Sequence, residues 1–503
     1  MSHPSPAGPL RPQHRPRVPL TDLGLGADDP VTVHGINLDS RFVGPGDLYV
    51  ALPGTRTHGA RFAAQAVAAG AVAVLTDADG AAHLTDVGVP VLVADDPRAT
   101  MARVAAELFG RPTERLNLFG VTGTNGKTTT VAILDAALRA AGRHGATIGT
   151  MGFTVDGRQL GGRRTTVTTP ESIDLQALFA VMAEDGAQDV AMEVSSHALA
   201  LHRVDRVRFE VAGFTNLGRD HLDFHHTMAE YAAAKARLFT PDFTGRAVIT
   251  IDDDGGTDLA ERARAAGLTV HTASLRDSRA DYRADARVLT DGRWELVVHT
   301  PTGSHTCELA LPGRHNVANA LLAAAMLDVA GRDLTACLPG LARVRVPGRM
   351  QRVDLPEPAP AVYVDFAHTP QAVGATLAAF AERPGRLITV LGCGGDRDRE
   401  KREPMGRVAA ELSEVVVVTD DNPRSEPPES IRARVLAGAA GGSARVIDGG
   451  ERAGAIRRAL ALAEPGDIVA VLGKGHEQGQ EIDGEIVPFD DVAEVATAWQ
   501  ELR

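Results

Sequence analysis

Leu116 to Gly142 reads LNLFGVTGTNGKTTTVAILDAALRAAG. An apolar run ends in a glycine-rich loop, and the loop opens directly into an alanine- and leucine-rich stretch. Strand, loop and helix in that order are the setting a phosphate-binding loop needs. Backbone N–H groups at the start of a helix face an anion, a lysine reaches the outer phosphates, and a hydroxyl can hold Mg²⁺. Here the loop is Gly123, Thr124, Asn125, Gly126, Lys127, Thr128 and Thr129. The common GxxxxGK[ST] spacing would put glycine at 121, where Val121 stands, so this is the shorter GxxGKT form. A glycine turn that merely caps a helix would not need Gly-Lys-Thr-Thr after a strand.

Outward from that loop, chemistry-bearing residues recur where apolar runs stop. Glu193 lies near the end of DVAMEV, and NLGRDHLDFHH carries Asp220, His221, Asp223, His225 and His226. In open α/β sheets ligands bind beyond the carboxyl ends of the strands, so Glu193 and the second segment can meet a Mg²⁺–nucleotide on Thr128. Zinc is the alternative for the histidines, but no HExxH occurs among them. Lys235, in EYAAAKARLF, reads from its surroundings as a surface lysine on an alanine-rich helix.

Past about residue 345 the sequence alternates between apolar runs and helical stretches: AVYVDFA, QAVGATLAAFAE, RLITVLGCGG, PMGRVAAEL, EVVVVTDD, ESIRARVLAGA and DIVAVLGKG. That alternation implies a doubly wound, mostly parallel sheet. A dinucleotide fingerprint after RLITVLG would need glycine at 397, which is Arg397. Three run ends carry mixed charge instead: Asp396 to Asp398, Asp421 to Glu426, and Lys474 to Glu477. Arginines grip a carboxylate and acidic groups an ammonium, so the set suits a zwitterion. Asn-Pro explains the turn after EVVVVTDD, but no turn needs Arg424.

The whole chain reads as α/β with three domains: a small N-terminal α/β domain (21–113), a central P-loop ATPase-like domain (114–345) and a C-terminal Rossmann-like doubly wound domain (346–503). The first 20 residues carry six prolines and no apolar core, which reads as a disordered tail rather than a signal peptide. No run of 18 apolar residues suggests a membrane span. Fifty-two basic against 65 acidic residues give −13, which argues against general nucleic-acid binding. Three scattered cysteines, Cys307, Cys337 and Cys393, fit a reduced, cytoplasmic setting.

From about residue 30 to 500 the ordered motifs GTNGKTT, EVSSHAL, TNLGRDHLDFH, YAAAKARLF, LPGRHNVANA, VPGRM, VDFAHTP, GCGGDRD, DNPRSE and GKGHE resemble the Mur ligases of peptidoglycan synthesis. The likeness is to the MurE type, which joins a diamino acid to UDP-N-acetylmuramoyl-L-alanyl-D-glutamate. It implies an ATP-dependent, ADP-forming ligase that uses Mg²⁺ and an acyl-phosphate intermediate, working as a monomer on small-molecule substrates. It implies that Gly123 to Thr129 take the ATP phosphates and that Thr128, Glu193 and His221 stand at magnesium. Lys235 then matches the family's carbamylated lysine, against its bland appearance, and joins Lys127, Glu193 and His221 as a catalytic group. Asn319, Arg349 and Asp365 match the nucleotide surroundings. Leu38, Ser40 and the TRTH segment, with Thr57 and His58, match the uridine-diphosphate region. Thr168, Thr169, Ser195 and Arg203 match contacts to the muramoyl-peptide. Arg397, Asp421, Asn422, Pro423, Arg424, Gly473 and Glu477 match the amino-acid pocket. DNPR accompanies diaminopimelate rather than lysine, whose side chain has no distal carboxylate for Arg424. Phe366 stands where tyrosine is common. Rival expectations are a folylpolyglutamate or cyanophycin synthetase, and a P-loop protein that hydrolyses ATP to switch partners.

Overall fold

The computed structural model describes residues 9–14, 16–26, 31–54, 57–161, 168–289, 293–381 and 383–503. Three sheets organise the chain in sequence order. The first has four parallel strands, Gly35–Asn37, Asp47–Ala51, Ala73–Thr76 and Val91–Val93, in that order. Its strands alternate sides: Ile36, Leu48, Val50 and Leu75 face one core, Tyr49, Ala51 and Val74 another.

The second sheet has eleven strands. Its parallel block runs Gly145–Gly149, Asp189–Glu193, Asn117–Thr122, Val211–Phe214, Arg246–Thr250, Thr269–Ser274. Asn117–Thr122 comes first in sequence but lies in the middle, so the winding reverses beside it. Such a reversal leaves a crevice at the strand ends, and the glycine-rich loop sits there. One face is covered by the helices Lys127–Ala140 and Arg314–Val329, the other by Ser172–Glu184 and Asp254–Ala265. Arg314–Val329 is apolar nearly all round because it is wedged between Lys127–Ala140, the sheet and an antiparallel extension, Tyr282–Val288 to Gly303–Leu309.

In the third sheet the strands order as Gln351–Val353, Ala361–Asp365, Ile468–Leu472, Leu387–Cys393, Val415–Asp420, Arg445–Gly450, all parallel but the first. Ile468–Leu472, last of these in sequence, inserts beside Leu387–Cys393, so the three mixed-charge run ends become neighbours. Arg402–Leu412 and Pro428–Ala439 cross tightly on one face: a Cβ on Gly438 would lie 1.9 Å from Glu403 O.

The amino-terminal expectation needs correcting. Val18–Pro19 pairs with Thr32–Val33, and Leu20 and Leu23 are buried in the first domain's core. Arg11 is hydrogen-bonded to Asn37 and Asp174. Proline runs suggest disorder by composition, yet an edge ribbon tolerates proline, and one arginine supplies the anchor. Residues 1–8 and 15 of the expected tail lie outside the described residues.

Candidate active site

Gly123 and Gly126 adopt φ of +143° and +91°, and a Cβ on Gly123 would lie 1.9 Å from Thr215 Oγ1. Glycine alone allows this loop. Thr215 and Asn216, at the end of the next strand, hold the loop from outside: Thr215 Oγ1 donates to Asn125 O at 2.6 Å, and Asn125 N–H to Asn216 Oδ1 at 3.0 Å. Lys127 turns back over the loop, donating from Nζ to Gly123 O and Thr124 O, each at 2.9 Å. Burial lowers its pKa, against the pull of Glu193 and Asp220.

Thr128 Oγ1 donates to Glu193 Oε2 at 3.0 Å, joining the helix start to the adjacent strand end. Glu193 is buried and accepts further bonds from Thr150 N–H (2.8 Å) and Oγ1 (3.2 Å). His221, in the left-handed region at φ +55°, lies 3.5 Å from Asp220 and edge-on to the His197 ring. Burial lowers its pKa to about 4, so the imidazole is neutral and able to ligate.

Lys235 is no surface lysine. It is 2% exposed, its Nζ donates to Gly123 O at 2.7 Å, and it lies 4.3 Å from the Tyr231 ring centre. Burial, with Lys127 nearby, drives its pKa well below the ordinary value. Reading the helix by its alanines alone misses this, because Met228–Ala236 packs its last turn beneath the phosphate loop.

The third domain closes the other side. Arg349 stacks 4.4 Å over the Phe366 ring and reaches Thr128 Oγ1 at 3.4 Å. Asp365 accepts Met350 N–H at 2.6 Å and Thr376 Oγ1 at 3.1 Å. Asn319 lies against Gly126 and donates to Asn316. In the charged turn, Asn422 Nδ2 donates to Glu477 Oε2 at 2.8 Å, while the buried Lys474 donates to both residues. Asp421 is buried beneath Gly473. Arg424 donates from Nε to Glu481 Oε2 (2.9 Å) and from Nη1 to Gly395 O (2.7 Å).

These walls enclose one cleft of about 1180 Å³, lined by Thr124 to Thr129, Thr168, Glu193, His221, Asn319, Arg349, Asp365, Arg397, Asn422, Arg424 and Glu477. Gly123 and Lys235 lie beneath it. Thr169, Ser195 and Arg203 form a neighbouring group: Thr169 Oγ1 bonds Glu193 O and Ser195 N–H, and Arg203 donates to Thr169 O. Arg397 stands at the rim, 3.9 Å from Asp223. Pro423 shapes its turn, its carbonyl against Gly395.

Leu38, Ser40, Thr57 and His58 lie apart from the cleft, in the first domain. Ser40 Oγ donates to Gln65, and His58 caps the turn Gly59–Phe62 while facing Asp77 at 3.1 Å. Thr55 and Arg56 of the TRTH segment lie outside the described residues. Thr150, His368 and Glu481 line the cleft without having been singled out from the sequence; only the fold brings them there.

Among the described residues no three His, Cys, Asp or Glu side chains converge as a closed metal site. Thr128, Glu193 and neutral His221 instead form an open set. Mg²⁺ suits such a set, because it keeps few protein ligands and takes the remainder from phosphate oxygens and water.

A reversed parallel sheet with a phosphate loop at its crevice and a second doubly wound domain across it defines a nucleotide-using enzyme. The chain belongs to the Mur ligase family: the Mur ligase family catalytic domain matches residues 32–108, the middle domain 121–327 and the glutamate ligase domain 348–475. The UDP-N-acetylmuramoyl-L-alanyl-D-glutamate–2,6-diaminopimelate ligase of Streptomyces coelicolor is 47% identical, over 98% of this chain and 97% of its own. That of Corynebacterium glutamicum is 46% identical, over 93% and 92%. A solved structure of a ligase of the same name superposes with a TM-score of 0.68 at 33% identity, covering 97% of this chain and 99% of that one.

Proposed function

We propose that this protein is the ATP-dependent, ADP-forming ligase that adds 2,6-diaminopimelate to UDP-N-acetylmuramoyl-L-alanyl-D-glutamate in peptidoglycan precursor synthesis. The carrying observation is one cleft that joins a phosphate loop to a pocket of paired arginine and carboxylates. The glutamyl carboxylate is a poor electrophile. It takes the γ-phosphoryl group of ATP, giving an acyl phosphate and ADP; the diamino acid's amine then attacks, and phosphate leaves as the amide forms.

The loop from Gly123 to Thr129 orients the ATP phosphates. Lys127 and Arg349 bring positive charge where charge develops on the transferred group. Thr128, Glu193 and His221 would hold Mg²⁺, with Lys235 as its N-carboxylate beside a second ion; bound there, the metal neutralises crowded phosphate oxygens. A carbamate forms only from a neutral amine, which the depressed pKa of Lys235 supplies. Asn319 and Asp365 border the nucleotide. Thr168, Thr169, Ser195 and Arg203 face the muramoyl-peptide, and Leu38, Ser40, Thr57 and His58 the uridine diphosphate. Arg424 takes the distal carboxylate of the amino acid, with Arg397, Asp421, Asn422, Pro423, Gly473 and Glu477 around it. The domain at 21–113 then carries the uridine diphosphate, that at 114–345 the muramoyl-peptide and the ATP phosphates, and that at 346–503 the amino acid, with Arg349 and Asp365 reaching across to the nucleotide. No helix among the described residues is long and apolar enough to cross a membrane. We place the protein in the cytoplasm as a monomer, with no nucleic-acid partner.

Purified protein given ATP and the UDP-dipeptide tests this. ADP and tripeptide should appear with a diaminopimelate isomer and not with lysine. Equal turnover with lysine, or ATP hydrolysis needing no amino acid, would refute it.

A further inference from the structure

The segment expected to be a loose tail is tied to two domains at once. Arg11 Nη1 donates to Asp174 Oδ1 at 2.9 Å and to Leu10 O at 2.9 Å. Its Nη2 donates to Asn37 Oδ1 at 3.0 Å and Ile36 O at 3.3 Å. Asn37 ends the strand Gly35–Asn37, directly before Leu38 and Ser40. Asp174 lies in the first turn of the helix Ser172–Glu184. Just ahead of that helix are Thr168, Thr169 and Glu171, and Glu171 receives Arg203 Nε at 2.9 Å. Farther along, the Gln13 and His14 N–H groups cap the Glu184 carboxylate at 2.8 and 3.2 Å, so the strap lies along the helix.

We infer that Arg11 is a positioning residue that sets the spacing between the two halves of the acceptor site. This rests on the function proposed above. One long substrate must place its uridine diphosphate at Leu38 and Ser40 and its peptide at Thr169 and Arg203 together. The guanidinium touches the backbone just ahead of the first pair and the helix just behind the second. Arginine fits this task because its rigid fork can reach acceptors on both sides, which an ammonium cannot do in one plane. A site held to the right spacing spends less binding energy on ordering, and a displacement of about 1 Å can cost up to ~100-fold in rate.

The test compares two acceptors: the full UDP-dipeptide, and a muramoyl-dipeptide lacking the uridine diphosphate. Arg11→Ala and Asp174→Asn should each lower kcat/KM for the full acceptor about tenfold, mainly through KM. The truncated acceptor should be used as well as before, and KM for ATP and diaminopimelate should not move. Arg11→Lys should fall between. If both acceptors lose efficiency alike, or neither does, the inference fails. Asp174→Asn keeps the side chain's shape, so it reads the clamp even where Arg11→Ala disturbs folding. Failure of the unaltered protein to ligate the full acceptor would instead strike the function itself.

Discussion

At the scale of single residues, Arg424 is held in a defined pose beside the cleft. Its φ is +53°, its N–H donates to Glu481 O at 2.9 Å, and its Nε holds the Glu481 carboxylate. One carboxylate of the protein therefore takes the Nε side of the guanidinium, in a residue that lines the cleft. Arg424→Lys should raise KM for diaminopimelate at least about tenfold with a smaller change in kcat, since a point charge cannot replace a fork. Unchanged KM in steady-state assays would remove Arg424 from the pocket. Sequence alone showed that Arg424 was surplus to the turn; the resemblance supplied a role. Neither could show Glu481, which is 57 residues away and arrives by the hairpin Gly479–Ile482 and Glu485–Pro488. Lys235 is the sharper case. Its neighbours in sequence are alanines, while its neighbours in space are Gly123 and Tyr231.

Among elements, the phosphate loop was legible because its signal is local: strand, glycines and helix are contiguous. The sheet reversal that makes the crevice was not, because strand order depends on contacts across scores of residues. The same holds for a buried pair behind the proposed amino-acid pocket. Arg452, at the start of the helix Arg452–Leu462, donates Nε and Nη2 to Asp491 at 2.7 Å each, both side chains being 0% exposed. Nη2 also reaches Leu472 O at 3.1 Å, and Nη1 reaches Asp420 O at 3.4 Å. The pair thus ties two strand ends whose loops carry Asp421 and Gly473. Asp491→Ala leaves a buried cation and should destabilise the protein by about 3–5 kcal/mol in urea unfolding. Replacing both partners with apolar residues of similar size, Arg452→Met with Asp491→Leu, should recover most of that. Equal losses in the single and double variants would deny the pair its coupling.

For the whole molecule, histidines half-buried in the cleft between domains set an acid limit. Burial lowers His368 from 6.5 to about 4 and also lowers His315. Both folded-state values lie below the unfolded one. Between about pH 6.5 and 4 the unfolded chain therefore binds more protons at these histidines than the native one, and their contribution to stability falls as pH falls through that window. Thermal unfolding followed from pH 7 to 4.5 should show a falling Tm, made shallower by His368→Gln. A Tm independent of pH over that range would contradict these shifts. Assembly at this scale was partly legible: alternation announced the doubly wound third domain, and motif order announced the family. The strap of residues 9–14 was hidden because prolines and low hydrophobicity look alike in a loose tail and in a segment fastened by one arginine.

Lys235 carries a last consequence. An amine kept neutral in a dry pocket combines with carbon dioxide, releasing a proton, and the adduct reverts when the gas is withdrawn. A catalyst that works through that adduct, as proposed for Lys235, has a dissolved atmospheric gas among its requirements. Enzyme equilibrated in degassed, bicarbonate-free buffer should lose activity slowly and regain it when bicarbonate is added. Lys235→Ala should respond to neither treatment, and a short free carboxylate such as acetate should partly restore it.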